Sequence, residues 1–382
     1  MNPDSLIDLT IEKLVPGGDG LARHEGKVIF LPATLPGEKV RARITESTKD
    51  FARAETVEVL ETSPMRREPP CPVAGICGGC DWQHIRYEEQ LRQKVALTED
   101  ALRRTGGLSF PGLTIEPGNP LGYRNRVQIH RDAAGRLGFL AKHSHDIVSV
   151  TSCPVAHPAL NDLFKSSGQG DSRLPAWAHS RPGGTGDFLI SGDAGSSEPG
   201  FSVEILGRTL QFDLRCFFQS NLDMLKKLLP FVLEGLEGKA AMDLYCGVGL
   251  FGAFLQDRFT QILALEENPI ALAYARKNIG PKHVFLPGKI EDLIRDGNTE
   301  LLQSRPKVVV VDPPRPGLDA AVRDYLIDKS PPKLIYVSCN PVTLARDLKI
   351  LLAGGFVLED LRLFDFYPQT AHVEAVAKLK KG

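Results

Sequence analysis

No apolar run in these 382 residues is long enough to cross a bilayer. The first residues, Met1-Asn2-Pro3-Asp4-Ser5, lack the basic and apolar regions of a secretory leader, so the cytoplasm is the expected compartment. Net charge is also missing. The 46 Lys and Arg nearly balance the 47 Asp and Glu, which leaves −1 at pH 7. No global positive field announces a polyanionic partner, and any such contact must use local patches. Internal repeats are absent. So is an even number of cysteines: seven stand at 71, 77, 80, 153, 216, 246 and 339. In a cytoplasmic chain, that uneven set argues for metal binding or catalysis over a disulfide framework.

What is present divides into three stretches. Short alternating runs separated by turns fill the first sixty residues, from Leu9–Val15 through Lys27–Leu31 and Lys39–Ile44 to Ala54–Leu60. Their spacing predicts a small β-barrel over 1–62, with Ser63–Pro70 as linker. A central region over 63–200 has one helical pattern within 81–105, stopped by Gly106-Gly107, and strands from Tyr123 to about Val150. Its Gly-, Ser- and Pro-rich stretch from Ser166 to Pro199 predicts a long surface loop. From 201 to 382, strand and helix signals alternate, as expected for a parallel, doubly wound α/β sheet.

Two strand ends in that last stretch carry chemistry. Val308–Val311 runs into Asp312-Pro313-Pro314-Arg315, and Leu334–Val337 runs into Ser338-Cys339-Asn340-Pro341. Ligands of open α/β sheets bind at this rim, so Cys339 stands as a candidate nucleophile one strand from a carboxylate; a buried packing thiol is the bland alternative. Upstream, Asp243-Leu-Tyr-Cys-Gly247-Val-Gly249-Leu-Phe-Gly252 follows one strand, and Glu266 ends the next. A glycine loop followed by an acidic residue that can accept from ribose hydroxyls indicates a nucleoside-bearing cofactor. An Asp at 243 would face a pyrophosphate badly and suits a cationic ligand such as S-adenosylmethionine. Methyl transfer leads on this motif, with a nicotinamide-dependent dehydrogenase as the alternative.

Cys71, Cys77 and Cys80 form C-x5-C-x2-C among Gly75, Gly78 and Gly79, and Cys153 precedes Pro154. Three thiolates on a glycine-rich loop and one distant thiolate can hold [4Fe–4S] or Zn²⁺. The five-residue gap and the Pro after the last cysteine favour iron–sulfur. Cys216 and Cys246 read as packing residues. Tyr123-Arg124-Asn125-Arg126 with His130-Arg131 is a local basic and aromatic stretch that would grip phosphates, or equally form a solvated strand face. Phe217 and Phe218 would stack on a base or simply pack.

Taken together, the chain resembles the RNA uracil-5-methyltransferases, in particular the iron–sulfur branch that acts on ribosomal RNA. The resemblance spans nearly the whole chain. It rests on a TRAM-like N-terminal barrel, the four cysteines, Phe218-Gln219-Ser220-Asn221, Asp243 to Gly249, Asp312-Pro-Pro-Arg315, Ser338-Cys339-Asn340-Pro341 and His372-Val373-Glu374. It implies a Rossmann-like methyltransferase domain and [4Fe–4S] on Cys71, Cys77, Cys80 and Cys153. It further implies S-adenosylmethionine contacts from Gln219, Tyr245, Glu266 and Asp312, Cys339 as nucleophile and Glu374 as general base. Leu250 departs from the pattern, standing where some members have a polar Asn, and is left outside the site.

The implied chemistry explains the residue types. Uracil C5 is too weak a nucleophile to take a methyl group directly; a thiolate added at C6 turns C5 into an enolate carbon. After transfer, a base must remove the C5 proton so that the thiolate can leave. RNA is the expected partner, ribosomal RNA ahead of transfer RNA. More remote readings are an RNA-binding protein with a non-catalytic cofactor fold, and an oxidoreductase using the cluster and a dinucleotide. Asp-Pro-Pro also occurs in amino methyltransferases, which need no cysteine at the next strand end.

Overall fold

The computed structural model describes residues 4–165, 176–180, 188–190 and 200–382. The first unit is a six-stranded sheet: β1 (Leu6–Thr10), β2 (Lys13–Leu14), β3 (Gly20–His24), β4 (Lys27–Leu31), β5 (Lys39–Ser47) and β6 (Phe51–Glu61), in the order β1-β5-β6-β4-β3-β2. Three register shifts between β5 and β6 bend and twist it, and β1 packs back against β3. The enclosed side chains, Leu9, Ile29, Leu31, Val40 and Ile44 among them, are buried. The alternation read over Leu9–Val15 is broken in the structure, with Ile11 and Glu12 falling between β1 and β2.

The predicted helix is α1 (Tyr87–Ala101), starting later than the pattern suggested and ending in a π turn over Leu102–Gly106. Then come β7 (Thr114–Glu116), β8 (Arg126–Arg131), β9 (Leu137–Leu140), β10 (Ile147–Ser149), α2 (Pro158–Lys165), β11 (Ala176–Ser180) and β12 (Phe188–Ile190). Strands β8–β12 form one sheet in the order β10-β9-β8-β11-β12. The stretch read as one long surface loop therefore contains two strands; the rest of 166–199 lies outside the described residues.

The hairpin β13 (Gly200–Ile205) and β14 (Arg208–Asp213) and helix α3 (Leu222–Leu233) lead into the last domain. There follow β15 (Gly238–Leu244), α4 (Leu250–Leu255), β16 (Phe259–Glu266), α5 (Pro269–Ile279), β17 (Val284–Pro287), α6 (Ile290–Arg295), α7 (Thr299–Gln303), β18 (Val308–Val311), α8 (Ala320–Lys329), β19 (Lys333–Ser338), α9 (Pro341–Ala353), β20 (Phe356–Phe364) and β21 (Glu374–Lys381). The sheet order is β17-β16-β15-β18-β19-β21-β20-β7. Alternate residues of β15, β16, β18 and β19 enter different cores, Val308 and Val310 on one face and Val309 and Val311 on the other. Burial on both faces is why these strands read as unbroken apolar runs.

The expectation of a parallel sheet needs correcting. The five strands from β17 to β19 are parallel, but β21 is antiparallel to both β19 and β20. Strand β7, from the central region, closes the far edge beside β20. Antiparallel insertion of β21 is what brings Glu374 to the functional rim: its N-terminal end lies beside the C-terminal ends of its neighbours.

Candidate active site

The C-terminal ends of β15, β16, β18 and β19 and the start of β21 open on one cleft of about 1200 Å³. Gln219, Tyr245, Glu266, Asp312, Cys339 and Glu374 all line it. Every cofactor-contacting and catalytic residue implied by the resemblance is thus brought to one site.

The glycine loop after β15 owes its shape to close packing. Tyr245 takes a left-handed backbone (φ 62°), uncommon for a side-chain-bearing residue and typical of constrained sites. A Cβ on Gly249 (φ 84°) would lie 2.9 Å from the Ala275 Cα, and one on Gly252 would lie 2.4 Å from Ile279 Cδ1. Only glycine lets α5 approach that closely. Glu266 holds the loop from the other side: its carboxylate accepts from the Gly247 N–H (2.9 Å) and the Asn268 N–H (2.8 Å).

Asp243 stands behind the cleft wall rather than on it, with Oδ1 free of any partner among the described residues. It is fully buried beneath the loop, where it accepts from the Gly252 N–H at 2.8 Å, and burial pushes its pKa up to about 7. It shapes the glycine loop from below. Leu250, set aside in the sequence, does line the cleft, as does Cys246. Cys216 is a core residue as read.

Cys339 sits between the end of β19 and Asn340, the N-cap of α9, whose side chain accepts from the Val342 N–H. Strands β19 and β21 pair Ser338 with Ala375. One further step in that register sets Cys339 opposite Glu374. Asp312 comes from the adjacent end of β18. Burial, then Glu374 and Asp312, raise the Cys339 pKa to about 11, while Arg315 pulls it down. The N-terminus of α9 also favours a thiolate, but burial and like charge win. Burial likewise raises Asp312 to about 7 and Glu374 well above the usual carboxylate range.

One consequence can be measured on the free protein. At the alkaline pH where the thiol titrates, ionised Glu374 opposes a second negative charge. Alkylation of Cys339 by iodoacetamide should therefore rise with pH toward a midpoint near 11 in the wild type and toward a lower midpoint in Glu374→Gln. An unmoved or higher midpoint in the variant contradicts this electrostatic reading.

The structure adds residues to which the sequence reading assigned no role. Arg315, Tyr367, Thr370 and His372 line the cleft, and Arg315 Nη2 lies 3.3 Å from His372 Nε2. Asn340 and Thr343 side chains hold the Arg315 carbonyl, at 3.1 and 3.2 Å. Arg315 and His372 belong to the Asp312-Pro-Pro-Arg315 and His372-Val373-Glu374 motifs; Tyr367 and Thr370 carry no local signal. Phe217 and Phe218 separate cleanly. Phe218 is buried and stacks on Phe212 at 4.2 Å, whereas Phe217 is 70% exposed on the cleft rim.

The basic stretch at 123–126 is mostly internal. Tyr123 is buried and donates to the Pro368 carbonyl at 3.0 Å. Arg126 is buried against the Leu214 carbonyl, and Asn125 accepts from the Leu222 N–H. Arg124 alone of the four reaches the cleft. The phosphate-gripping reading therefore fails for Tyr123 and Arg126: both pack inward.

Beside the cleft, Cys71, Cys77, Cys80 and Cys153 line a single cavity of about 190 Å³. Gly79 and Arg124 border both spaces. Gly79 packs against the Cys77 sulfur, and the Ala156 N–H donates to the Cys153 carbonyl at 3.1 Å. Burial raises the Cys77, Cys80 and Cys153 thiols, Cys80 to about 12. Among the described residues, no three such side chains close on a point as ligands of a single ion would. Four sulfurs on one small cavity are a donor set suited to a larger group held by thiolates. No described helix is long and apolar enough to cross a membrane.

Comparison with known proteins agrees with this architecture. Residues 202–286 and 288–382 match the profile of the tRNA (uracil-5-)-methyltransferase family, and residues 5–57 match the TRAM domain. An uncharacterised RNA methyltransferase of Bdellovibrio bacteriovorus is 37% identical, the match covering 98% of this chain and 95% of that protein. One from Aquifex aeolicus is 32% identical over 99% of both. Among solved structures, the Pyrococcus abyssi tRNA (uracil-54, C5)-methyltransferase in complex with S-adenosyl-L-homocysteine superposes with a TM-score of 0.73. It is 24% identical and covers 98% of this chain, a likeness of fold. The chain belongs to the RNA uracil-5-methyltransferase family and carries an N-terminal TRAM domain.

Proposed function

We propose that this protein methylates C5 of a uridine in RNA, using S-adenosylmethionine, with Cys339 as nucleophile and Glu374 as the base that removes the C5 proton. The observation that carries the reading is the pairing of β19 with β21, which sets Cys339 opposite Glu374 in the cleft shared with Tyr245, Glu266 and Asp312. An amino methyltransferase has no use for that thiol.

The donor would supply an electrophilic methyl group on a cationic sulfonium. Gln219, Tyr245, Glu266 and Asp312 are the residues proposed to hold it. Gln219 Oε1 is buried with no hydrogen-bond partner among the described residues, as an acceptor awaiting a ligand would be. Glu266 still has lone pairs free for ribose hydroxyls after its two backbone bonds. A cation in the cleft lowers the pKa values of Cys339, Asp312 and Glu374 together, which opposes the burial that keeps them protonated in the free protein.

Cys339 as thiolate adds to C6, and C5 becomes a carbanion equivalent that takes the methyl group. Glu374 then accepts the C5 proton, the C6–S bond breaks toward sulfur, and the C5=C6 double bond is restored. Asp312 is suited to accept from the uracil N3–H and hold the ring. Phe217, exposed at the rim, offers a stacking face to a base drawn out of its helix.

Cys71, Cys77, Cys80 and Cys153, which line one cavity, would hold a [4Fe–4S] cluster. The division of labour proposed is 1–62 as an RNA-binding barrel, 63–200 as the cluster-bearing region and 201–382 as the catalytic domain.

Ribosomal RNA is the proposed substrate, on the four-cysteine resemblance. Transfer RNA is the second reading, favoured by the substrate of the Pyrococcus abyssi structure. Labelled methyl transfer to 23S ribosomal and tRNA transcripts, with 5-methyluridine located by mass mapping, decides between them. Label in ribosomal RNA alone is expected. Label confined to tRNA overturns the substrate class, and label at any position other than uridine C5 overturns the reaction.

A further inference from the structure

We propose that Gln369 is a positioning residue which ties the segment leading into Glu374 to the loop carrying Cys71, Cys77 and Cys80. Through it, the cysteine loop sets the aim of the carboxylate that takes the C5 proton. The inference rests on Glu374 being that base.

Gln369 lies between β20 and β21, five residues before Glu374, and is fully buried. Its backbone is left-handed (φ 69°), a conformation that a side-chain-bearing residue adopts at a cost. Every polar group of the residue is used. The backbone N–H donates to Gln90 Oε1 at 2.8 Å. The carbonyl accepts from the Asp81 N–H at 3.1 Å and the Trp82 N–H at 2.9 Å, and these two donors directly follow Cys80. Side-chain Oε1 accepts from Arg67 Nη2 (2.7 Å) and Gln90 Nε2 (2.9 Å), and Nε2 donates to the Pro120 carbonyl at 2.9 Å.

These partners come from the linker after the barrel, the cysteine loop, α1 and the approach to β8. Flanking bonds extend the clamp. Lys94 and Asp365 form a fully buried ion pair, and Lys94 also donates to the Tyr367 carbonyl at 3.0 Å. Between Asp365 and Glu374, the chain also supplies Tyr367, Thr370 and His372 to the cleft. A segment fastened in this way transmits a change at Asp81 or Trp82 to the start of β21, because its bonds to Gln90 are buried and those to Arg67 and Pro120 are partly so, which leaves little solvent to absorb it.

The chemistry offers a readout that separates aiming from mere stability. A misplaced base acts too slowly only after methyl transfer, so the methylated RNA stays bonded to Cys339. Loss of fold or of RNA binding lowers adduct and turnover together. Gln369→Asn keeps an amide and tolerates the left-handed backbone, but is one methylene too short to keep its side-chain partners. Arg67→Lys loosens the same bond from outside the segment and outside the cleft.

With ordinary uridine RNA and labelled donor, both variants should raise the fraction of enzyme in denaturant-stable, methyl-labelled adduct. Gln369→Asn should do so about tenfold, as a misaimed base slows that single step. Amide exchange across 366–374 should speed up in the RNA-free variants, and in Cys80→Ser. Turnover that falls with no rise in adduct, or unchanged exchange across 366–374, overturns the proposal. Glu374→Gln serves as reference. If that variant itself builds no methylated adduct, the base reading fails; if it does and Gln369→Asn does not, the positioning inference alone fails.

Discussion

Cys339→Ala is expected to lower methyl transfer to RNA by at least about 10⁴-fold while leaving donor binding intact. Without the thiolate, C5 never acquires carbanion character, and no other group in the cleft replaces it. Cys246 also lines the cleft, but it is almost wholly enclosed, and burial beside Asp243 and Glu266 holds its thiol far above neutral pH. The measurement is single-turnover methyl transfer beside calorimetric titration with S-adenosylmethionine. Activity within about tenfold of wild type would assign the nucleophile elsewhere.

The second large effect is at Glu374. Glu374→Gln preserves size and hydrogen-bonding shape at a buried position but leaves nothing to accept the C5 proton. Steady-state turnover should fall about 10²- to 10⁴-fold, the usual contribution of a general base. The first turnover of adduct formation should survive, since addition and methyl transfer precede proton removal. Methylated, denaturant-stable enzyme–RNA complex should therefore accumulate with ordinary RNA, which the wild type releases. If both adduct and turnover vanish, Glu374 acts before methyl transfer, and the assignment of the base is wrong.

How far the site can be read from sequence depends on how local each signal is. Cys339, Asp312 and Glu266 are visible because each ends an apolar run, and the ends of parallel strands form a ligand-binding rim. Glu374 offers no such mark. Val373-Glu374-Ala375 is indistinguishable from a half-solvated strand, and it came into view through family resemblance alone. Its burial follows from the antiparallel insertion of β21 between β19 and β20, a choice made by tertiary pairing.

Asp243 is hard to read for a related reason. A carboxylate at a strand end faces a ligand or supports the loop above it, and only the packing of Gly252 against Ile279 decides which. Tyr123 and Arg126 looked like an RNA-facing patch because aromatic and basic residues suit either surface, and both proved to be internal. The parallel core was legible from its apolar runs. The closure of its edge by β7 was not, since that pairing joins residues far apart in the chain. Gln369 lies further still from legibility: its side-chain partners Gln90 and Arg67 are 279 and 302 residues away.

The proposed reaction turns on one bond, between Cys339 Sγ and uracil C6. The direct test is to incubate the protein and S-adenosylmethionine with RNA carrying 5-fluorouridine, whose fluorine cannot leave as a proton does. The trapped complex is then digested and the modified peptide identified by mass spectrometry. The predicted result is a methylated fluorouridine nucleotide on the peptide containing Cys339, absent from Cys339→Ala. An adduct mapped to any other residue, or an undiminished adduct in Cys339→Ala, would contradict the account.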